Sequence, residues 1–219
     1  MPLATRHRDD PAPDLAPLPA LIVRREADPG FMAALQGKPA AEMARRFGAG
    51  HRAYVAWCDG VPAAWGWVAT RAAEIGELHS KFTIPTGERY LWNFVTLPSH
   101  RGLGIYPRLL DAIVRAESPE ADRFWVAYAP ENHSSGSGIR KAGFVAVAEL
   151  SFDTAGRPAL KAMVPDRGAA GARVLGLPQV EHALAQCWRC ARTTAPADRS
   201  CTGRRCRCDY QRPQVACAE

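Results

Sequence analysis

The chain has 219 residues, of which 47% are hydrophobic and 8% aromatic, a composition that can fill a sizeable core and that excludes wholesale disorder. The first residues carry charges where a secretory signal needs an apolar stretch, and no window approaches the run of about 18 apolar residues that a membrane helix requires. The formal charge is +6, but from Cys187 onward seven arginines against three carboxylates account for +4 of it, so the rest of the chain lacks the basic stripe that binds nucleic acid.

These properties predict a soluble, cytoplasmic protein whose folded part has neither a membrane partner nor a nucleic-acid partner. Composition also divides the chain into four parts. Residues 1–19 hold five prolines and scattered charges, which predicts a flexible N-terminal arm because little apolar surface offsets the entropy of ordering. Residues 20–165 carry the periodic apolar patterns of a folded domain. Residues 166–186 have the composition of a linker, which could also contain a short helix, and residues 187–219 form a cysteine-rich basic tail.

The first half of the domain is predicted to hold a strand, two short helices and a hairpin. "ALIVRRE" (20–26) favours a strand, and residues 31–48 favour two helices, the second beginning near Pro39. Two alternating apolar runs within residues 52–71 flank Asp59-Gly60, a dipeptide typical of hairpin turns.

Strands and helices alternate in the second half of the domain. The predicted order is strand 87–97, helix 104–117, strand 122–130, short helix 131–143, strand 144–152 and strand 159–164. Together with the first half, this order predicts a mixed α/β domain of the α+β type.

The loop in "LPSHRGLGIYPRLL" (97–110) joins a strand to an amphipathic helix. Two functions fit it: a tight turn, or a cradle whose backbone N–H groups bind phosphate at the helix N-terminus. Gly102 and Gly104 would let a ligand approach the backbone closely. The strand-loop-helix setting favours the cradle, and a second element lies downstream, where Asn132 is followed by "KAGF" (141–144).

These two elements resemble the signature of the GNAT superfamily of acyl-CoA-dependent N-acetyltransferases. "RGLGIY" (101–106) matches its Arg/Gln-x-x-Gly-x-Gly/Ala pattern at Arg101 and Gly104, Asn132 matches its downstream Asn, and "KAGF" (141–144) matches its Lys-x-Gly-Phe. The resemblance covers roughly residues 20–165. It implies a central mixed, mostly antiparallel sheet, flanked by helices, in which the fourth and fifth strands of the domain splay apart.

The resemblance also implies a site for acetyl-CoA. The backbone of Phe94, Val95 and Thr96 would pair with the pantetheine arm, as an added strand does. The N–H groups of Gly102, Leu103, Gly104, Ile105 and Tyr106 would bind the pyrophosphate, with Arg101 adding structure or charge. Asn132 would bind the pantetheine or the region of the thioester; an Asn there can instead cap a helix, and the two roles are compatible.

Two departures from the family pattern affect the mechanism. Tyr106 stands at the final Gly/Ala position, so we expect only its backbone to face phosphate. Ile139 stands where many relatives carry a Tyr that is proposed as the general acid, and it cannot donate a proton. Replacement acids are Ser134, Ser137 and Tyr128, or the thiolate leaves unaided. The candidate bases are Glu131, His133, Glu77 and His79, and deprotonation of the amine through water is the alternative.

The tail offers a separate possibility. Cys187 and Cys190 have the spacing of half a zinc site, and Cys201 with Cys206 or Cys208 would complete a set of four sulfur ligands, with His182 as a substitute. A disordered or redox-active tail explains the same residues.

The sequence as a whole predicts transfer of an acetyl group from acetyl-CoA to a primary amine on a small molecule or protein. Asn132, Ser134 and Tyr128 are the catalytic candidates. Two other functions stay open: a non-catalytic acyl-CoA-binding regulatory module, and a metal-binding interaction protein acting through Cys187, Cys190, Cys201 and Cys206. The oligomeric state is also open, and a dimer is compatible.

Overall fold

Strands and helices alternate through the part of the chain that the computed structural model describes, residues 1–78, 80–153, 155 and 157–181. The strands are β1 (Pro2–His7), β2 (Leu21–Glu26), β3 (His51–Cys58), β4 (Val61–Ala69), β5 (Ala72–Ile75), β6 (Ser80–Thr83), β7 (Glu88–Thr96), β8 (Arg123–Ala127), β9 (Val145–Phe152) and β10 (Pro158–Ala162). The helices are α1 (Pro29–Gln36), α2 (Ala40–Gly48), α3 (Ile105–Glu117), α4 (His133–Lys141) and α5 (Pro165–Leu175). Across these described residues, no helix is both long and apolar enough to span a membrane.

One large sheet dominates the described residues, with strand order β10-β9-β1-β8-β7-β4-β3-β2. β7 and β8 pair in parallel, whereas the other neighbours in this sheet pair in an antiparallel manner. β5 and β6 form a separate hairpin. The predicted α+β class and the mixed, mostly antiparallel sheet are therefore confirmed.

The helices cover the two faces of the sheet, because alternate residues of a strand point to opposite sides. On β7, Leu91 faces the apolar side of α3, where it joins Ile105 and Leu109. Trp92 points to the other face, which α1 and α2 cover through Met32 and Met43. α5 and the β5–β6 hairpin cover the remainder of that second face. Both sides of β7 are thus packed where it enters the centre of the sheet.

The N-terminal residues are part of this sheet. β1 lies between β8 and β9, pairing Leu3 with Ala127 on one side and with Ala148 on the other, and Leu3 is fully buried. The prediction of a flexible arm over residues 1–19 is therefore wrong for residues 2–7. Four of the five prolines that suggested it lie at positions 11–19, and a strand this short owes its order to partners far away in the chain.

The predicted linker is also partly helical. α5 occupies its first half and packs on the sheet. Gly171 lies against Leu3, and a Cβ at Gly171 would fall 2.8 Å from Leu3 Cδ2; a Cβ at Gly168 would fall 2.7 Å from that of Ala162. The small residues that suggested a linker instead let the helix approach the strands closely. The hairpin of β5 and β6 was not predicted from the sequence.

A buried ion pair ties β1 to the helices. The Nη1 of Arg6 donates to Asp111 Oδ1 of α3 at 2.8 Å and to the carbonyl oxygen of Ala142, which follows α4, at 3.0 Å. Asp111 is also paired with Arg115, at 2.7 Å, on the exposed side of α3. Removal of Arg6 would therefore leave the buried Asp111 carboxylate paired only with Arg115, whose side chain is largely exposed.

We expect Arg6→Met to lower the free energy of unfolding by about 3 kcal/mol, because breaking a buried pair leaves an uncompensated charge. Arg8→Met is the matched control, since Arg8 forms a half-exposed pair with Asp122 that contributes at most about 1 kcal/mol. Urea denaturation of both variants measures the difference. Equal stability of the two variants would show that β1 is not anchored through Arg6.

The C-terminal end of α3 is fixed by a second buried carboxylate. Glu117 accepts hydrogen bonds from the Tyr54 hydroxyl and from Arg52, both at 2.6 Å, and from Arg89 at 2.8 Å. Burial alone would raise the pKa of Glu117, but the hydrogen bonds from these three groups outweigh burial and hold the pKa below its usual value. The folded state therefore favours the charged carboxylate.

Stability should consequently fall at acid pH. A carboxyl group with a lowered pKa in the folded state contributes its full stabilisation above the unfolded value of about 4.3, and this contribution is lost as the pH falls through the folded value. Glu117→Gln should be less stable at pH 7 and should show a flatter dependence of stability on pH below 5, measured by urea denaturation. Glu149→Gln, at an exposed carboxylate, should keep the wild-type slope.

Candidate functional site

A cleft opens where the two parallel strands at the centre of the sheet separate. β7 and β8 pair from Glu88 with Arg123 to Leu91 with Val126. β8 ends at Ala127, while β7 continues to Thr96 beside β4 alone. On the side facing β8, the backbone of residues 92–96 therefore has no strand partner among the described residues. The expected splay of these two strands is present.

A β-bulge shapes the separated part of β7. Trp67 of β4 pairs with Trp92, but Trp65 pairs with Val95, so β7 carries one extra residue over this interval. Asn93 accommodates it with a φ of 52°, in the left-handed region that Asn tolerates better than most residues. The bulge turns Phe94 toward α3 and Val95 toward the face that α1 and α2 cover.

Phe94 packs directly on a strand glycine. A Cβ at Gly66 would lie 2.0 Å from Phe94 Cε1, a distance at which the ring would have to move. The Phe94 ring is also close to Tyr106, with ring centroids 5.4 Å apart. Phe94 therefore joins the bulge in β7 to the first turn of α3.

The loop of residues 101–104, here called the glycine loop, presents backbone N–H groups at the start of α3. Gly102 and Gly104 have φ values of 82° and 70°, which glycine adopts without strain. Gly104 is the N-cap of α3 and contributes no side-chain acceptor, and no other described side chain caps this end of the helix. The first N–H groups of the helix thus lack intrahelical acceptors and suit an anion. Arg101 donates from Nε to the carbonyl oxygen of Thr96 at 3.2 Å, which ties the loop to the end of β7.

Tyr106 directs its side chain away from the loop. Its ring packs on Gly138 of α4, where a Cβ would lie 2.4 Å from Tyr106 Cδ1, and its hydroxyl lies 3.4 Å from Ser135 Oγ. Burial raises the pKa of Tyr106 to about 12, so the phenol stays neutral. The side chain thus packs on α4, and the expectation that only the Tyr106 backbone faces phosphate stays a prediction.

The three catalytic candidates lie between the end of β8 and the first turn of α4. Asn132 is the N-cap of α4, and its side-chain oxygen accepts the N–H of Ser135 at 3.0 Å. Tyr128 follows β8 and packs on Gly136, where a Cβ would lie 2.7 Å from Tyr128 Cε2. Ser134 is exposed in the first turn of α4. The three are close in sequence, and their chemical roles stay predictions.

The other residues singled out from the sequence lie in different environments. Ile139 is fully buried in the core of α3 and α4, and His133 is exposed at the start of α4. Glu77 belongs to a short 3₁₀ turn, Gly76–Leu78. His79, His182 and the cysteines proposed as zinc ligands, Cys187, Cys190, Cys201 and Cys206, lie outside the described residues. The described ranges hold no cluster of three or more His, Cys, Asp or Glu side chains that could bind a metal.

An aromatic group covers the cleft on the face opposite α3. Trp92, the first residue of β7 beyond its pairing with β8, donates from Nε1 to His51 Nδ1 at 3.2 Å. The Arg46 guanidinium lies over the rings of Trp92 and Trp67, at 4.8 and 5.1 Å from their centroids. Burial lowers the pKa of His51, and the positive charges of Arg46 and Arg71 lower it further. His51 is therefore a neutral imidazole beside Trp92.

Several residues that shape the site were not predicted from the sequence. Asn93 makes the bulge, and Gly66 and Gly138 make room for the rings of Phe94 and Tyr106. Only Gly66 carried a usable signal, since a glycine between two tryptophans inside a strand indicates the close approach of another group.

No protein-family model matches the sequence, and no curated protein matches it. Solved structures do resemble the chain. A GCN5-related N-acetyltransferase from Kribbella flavida is 18% identical, with a TM-score of 0.47 over 66% of this chain and 53% of its own, so this chain spans about half the length of that protein. The aminoglycoside N-acetyltransferase AAC(6')-Iy in complex with CoA is 20% identical, with a TM-score of 0.46 over 64% of this chain and 97% of its own. A GNAT-family acetyltransferase from Streptococcus pneumoniae is 16% identical, with a TM-score of 0.44 over 59% of this chain and 88% of its own.

The contact between Gly66 and Phe94 yields a prediction. Gly66→Ala should displace the Phe94 ring and lower the free energy of unfolding by about 1–3 kcal/mol, as overpacking of a core does. The amides of residues 93–96 should then exchange with solvent faster than in the wild type, measured by hydrogen exchange. Gly48→Ala is the control, because a Cβ there meets no atom within 4 Å. Unchanged exchange of residues 93–96 in Gly66→Ala would contradict this role for Gly66.

Proposed function

We propose that the chain is an acetyl-CoA-dependent N-acyltransferase of the GNAT type, which transfers an acetyl group to a primary amine. The proposal rests on one observation: β7 leaves β8 at Leu91, bulges at Asn93 and leads into a glycine loop at the start of α3, where no described side chain caps the helix. An unpaired strand edge suits an extended amide-bearing chain, and an uncapped helix N-terminus suits phosphate. Coenzyme A carries both groups in one molecule.

The coenzyme would lie along this path. The N–H groups from Gly102 to Tyr106 would bind its pyrophosphate, and the backbone of Phe94, Val95 and Thr96 would pair with its pantetheine arm. Asn132 would retain its bond to the Ser135 N–H while its amide nitrogen donates to the pantetheine. Acetyl-CoA supplies the acyl group as a thioester.

The reaction would be direct acyl transfer. The lone pair of a neutral amine attacks the thioester carbonyl carbon and a C–N bond forms. The nitrogen gives up a proton to water or to a side-chain base, the C–S bond breaks, and the sulfur leaves as a thiolate that takes up a proton. A backbone N–H near Val95 would stabilise the negative charge on the carbonyl oxygen. The thiolate can leave unaided because a thiol has a pKa of about 8.5. Its proton would come from Tyr128, Ser134, Ser137 or water.

The amine would approach from the face opposite α3. The glycine loop opens a helix that packs on one face, whereas Trp92, His51 and Arg46 lie on the other. A pantetheine arm that passes through the cleft would therefore present its thioester toward these aromatic groups. Trp92 would then contact the acceptor, beside a neutral His51.

The decisive experiment combines coenzyme binding with turnover. Calorimetry with coenzyme A, followed by measurement of thiol release from acetyl-CoA with a panel of amino sugars, amino acids, polyamines and peptides, should show micromolar binding and release that depends on one class of amine. Tight binding with no release for any amine would favour the non-catalytic acyl-CoA-binding module. Absence of binding would refute both functions.

A role as a metal-binding interaction protein is tested separately. Zinc content is measured in the full chain and in a chain that ends at Val180, which retains α5 and its packing on the sheet. Zinc in the full chain alone would support a metal site in the tail. Its absence from both would remove the main support for that function.

The position of Tyr106 yields a further prediction. Tyr106→Phe should leave coenzyme A affinity within about threefold, because the ring keeps its packing on Gly138 and only a long contact with Ser135 is lost. Tyr106→Ala should instead lower the free energy of unfolding by about 3–5 kcal/mol, since it empties the space beneath α4. A loss of affinity above tenfold in Tyr106→Phe would place the phenol in the site.

A further inference from the structure

Arg108 is fixed beside the glycine loop by two carbonyl groups. Its Nη1 donates to the carbonyl oxygen of Gly104 at 2.7 Å, and a Cβ at Gly104 would lie 2.5 Å from the same nitrogen. Its Nε and Nη2 both donate to the carbonyl oxygen of Ala16, at 3.0 and 2.5 Å. The guanidinium therefore lies against the last residue of the loop.

These contacts leave part of the guanidinium available. An arginine has five N–H groups, and three are used here, so one on Nη1 and one on Nη2 have no partner among the described residues. Arg6, Arg52 and Arg89 pair with carboxylates, but no carboxylate of the described chain pairs with Arg108. Two N–H groups in one plane match two oxygens of a phosphate.

Ala16 belongs to the segment that joins β1 to β2, residues 8–20. The segment starts at the C-terminal end of α3, where Arg8 donates to the carbonyl oxygen of Ser118 at 3.3 Å. It reaches the N-terminal end of α3 at Ala16, and Leu18 then packs against the apolar core beneath that helix. The segment thus follows α3 along its length and ends at the glycine loop.

We propose that Arg108 is an anion-binding residue of the coenzyme site, and that residues 11–18 belong to that site because they orient its guanidinium. The inference rests on the proposed function. The anion is a phosphate group of the coenzyme, either the pyrophosphate at the loop or the phosphate on the ribose. Arg108 binds it through Nη1 and Nη2, while the carbonyl oxygens of Gly104 and Ala16 hold the guanidinium in place.

This arrangement couples the segment to the coenzyme. The phosphate and the Ala16 carbonyl bind one guanidinium, so an ordered segment lowers the entropy lost when Arg108 binds phosphate. Linkage requires the coupling to act equally in the other direction. Bound coenzyme should therefore slow amide exchange in residues 11–18.

The first test measures the affinity of full-length wild type, Arg108→Ala, Arg108→Lys and the control Arg115→Ala for three ligands: coenzyme A, 3′-dephospho-coenzyme A and pantetheine. Arg115 is an exposed arginine on the same helix. Arg108→Ala should bind coenzyme A about 10- to 100-fold more weakly, as expected for loss of hydrogen bonds to a charged group. Arg108→Lys should lose less, because it keeps the charge without the planar pair of donors. Arg115→Ala should stay within about twofold.

The ligands identify the phosphate. Pantetheine has none, so its affinity should be the same in all four proteins. Equal losses for coenzyme A and its dephospho form would place Arg108 on the pyrophosphate, and a loss for coenzyme A alone would place it on the ribose phosphate. Either pattern supports the proposal.

The second test examines the segment. Residues 12–17 are replaced by a Gly-Ser sequence of equal length, in the wild type and in Arg108→Ala. The replacement should weaken coenzyme A binding about three- to tenfold in the wild type, because ordering a flexible chain costs free energy, and it should have no further effect in Arg108→Ala. Hydrogen exchange of residues 11–18 should slow on coenzyme A binding in the wild type and not in Arg108→Ala.

Other results would overturn the inference. Coenzyme A affinity of Arg108→Ala equal to that of Arg115→Ala, with unchanged thermal unfolding, would exclude Arg108 from the site. Additive effects of the two changes would exclude the role of the segment. In both cases the wild type still binds coenzyme A and the proposed function stands, whereas a wild type that binds no coenzyme A refutes the proposed function together with this inference.

Discussion

The parallel pairing of β7 with β8 is the constraint on which the site depends. Parallel neighbours need a crossover connection, which here contains α3. Their carboxyl ends lie at the same edge of the sheet. The loop that follows β7, with Gly102 and Gly104, is therefore close to the turn that follows β8, with Asn132. Two motifs that are distant in sequence meet because the strands before them point the same way.

The cleft stays open because several groups prevent the strands from pairing further. Asn93 puts β7 out of register, and the Phe94 ring is held on Gly66. β8 cannot shift easily to follow β7, since its other edge pairs with β1 along its whole length. Within the described part of the chain, backbone groups of β7 beyond Leu91 consequently lack ladder partners on that side, and buried or half-buried peptide groups require some other partner. An extended ligand with amide groups meets that requirement.

The sequence predicted the parts of this arrangement that depend on local pattern. The glycine loop, the hairpin at Asp59-Gly60 and most core elements follow from periodicity and turn residues, and the motif residues fall where strand and helix meet. β1 and α5 could not be predicted in the same way. A six-residue strand is recognised by its partners, which here are β8 and β9, and the glycines of α5 have meaning only against Leu3 and Ala162. Asn93 became significant only once the register of β4 and β7 was known.

The N-terminal residues show why composition misled. Composition averages over a window, and the prolines at 11–19 do produce an irregular segment. Anchoring depends on a few contacts, however: Leu3 in the core, Arg6 on Asp111 and the Ala16 carbonyl on Arg108. A segment without regular structure can therefore be held at both ends. In this chain the segment follows β1, which pairs with β8, and its Ala16 carbonyl contacts Arg108 of α3, the helix that begins at the glycine loop. The N-terminal residues therefore both stabilise the sheet and border the candidate site.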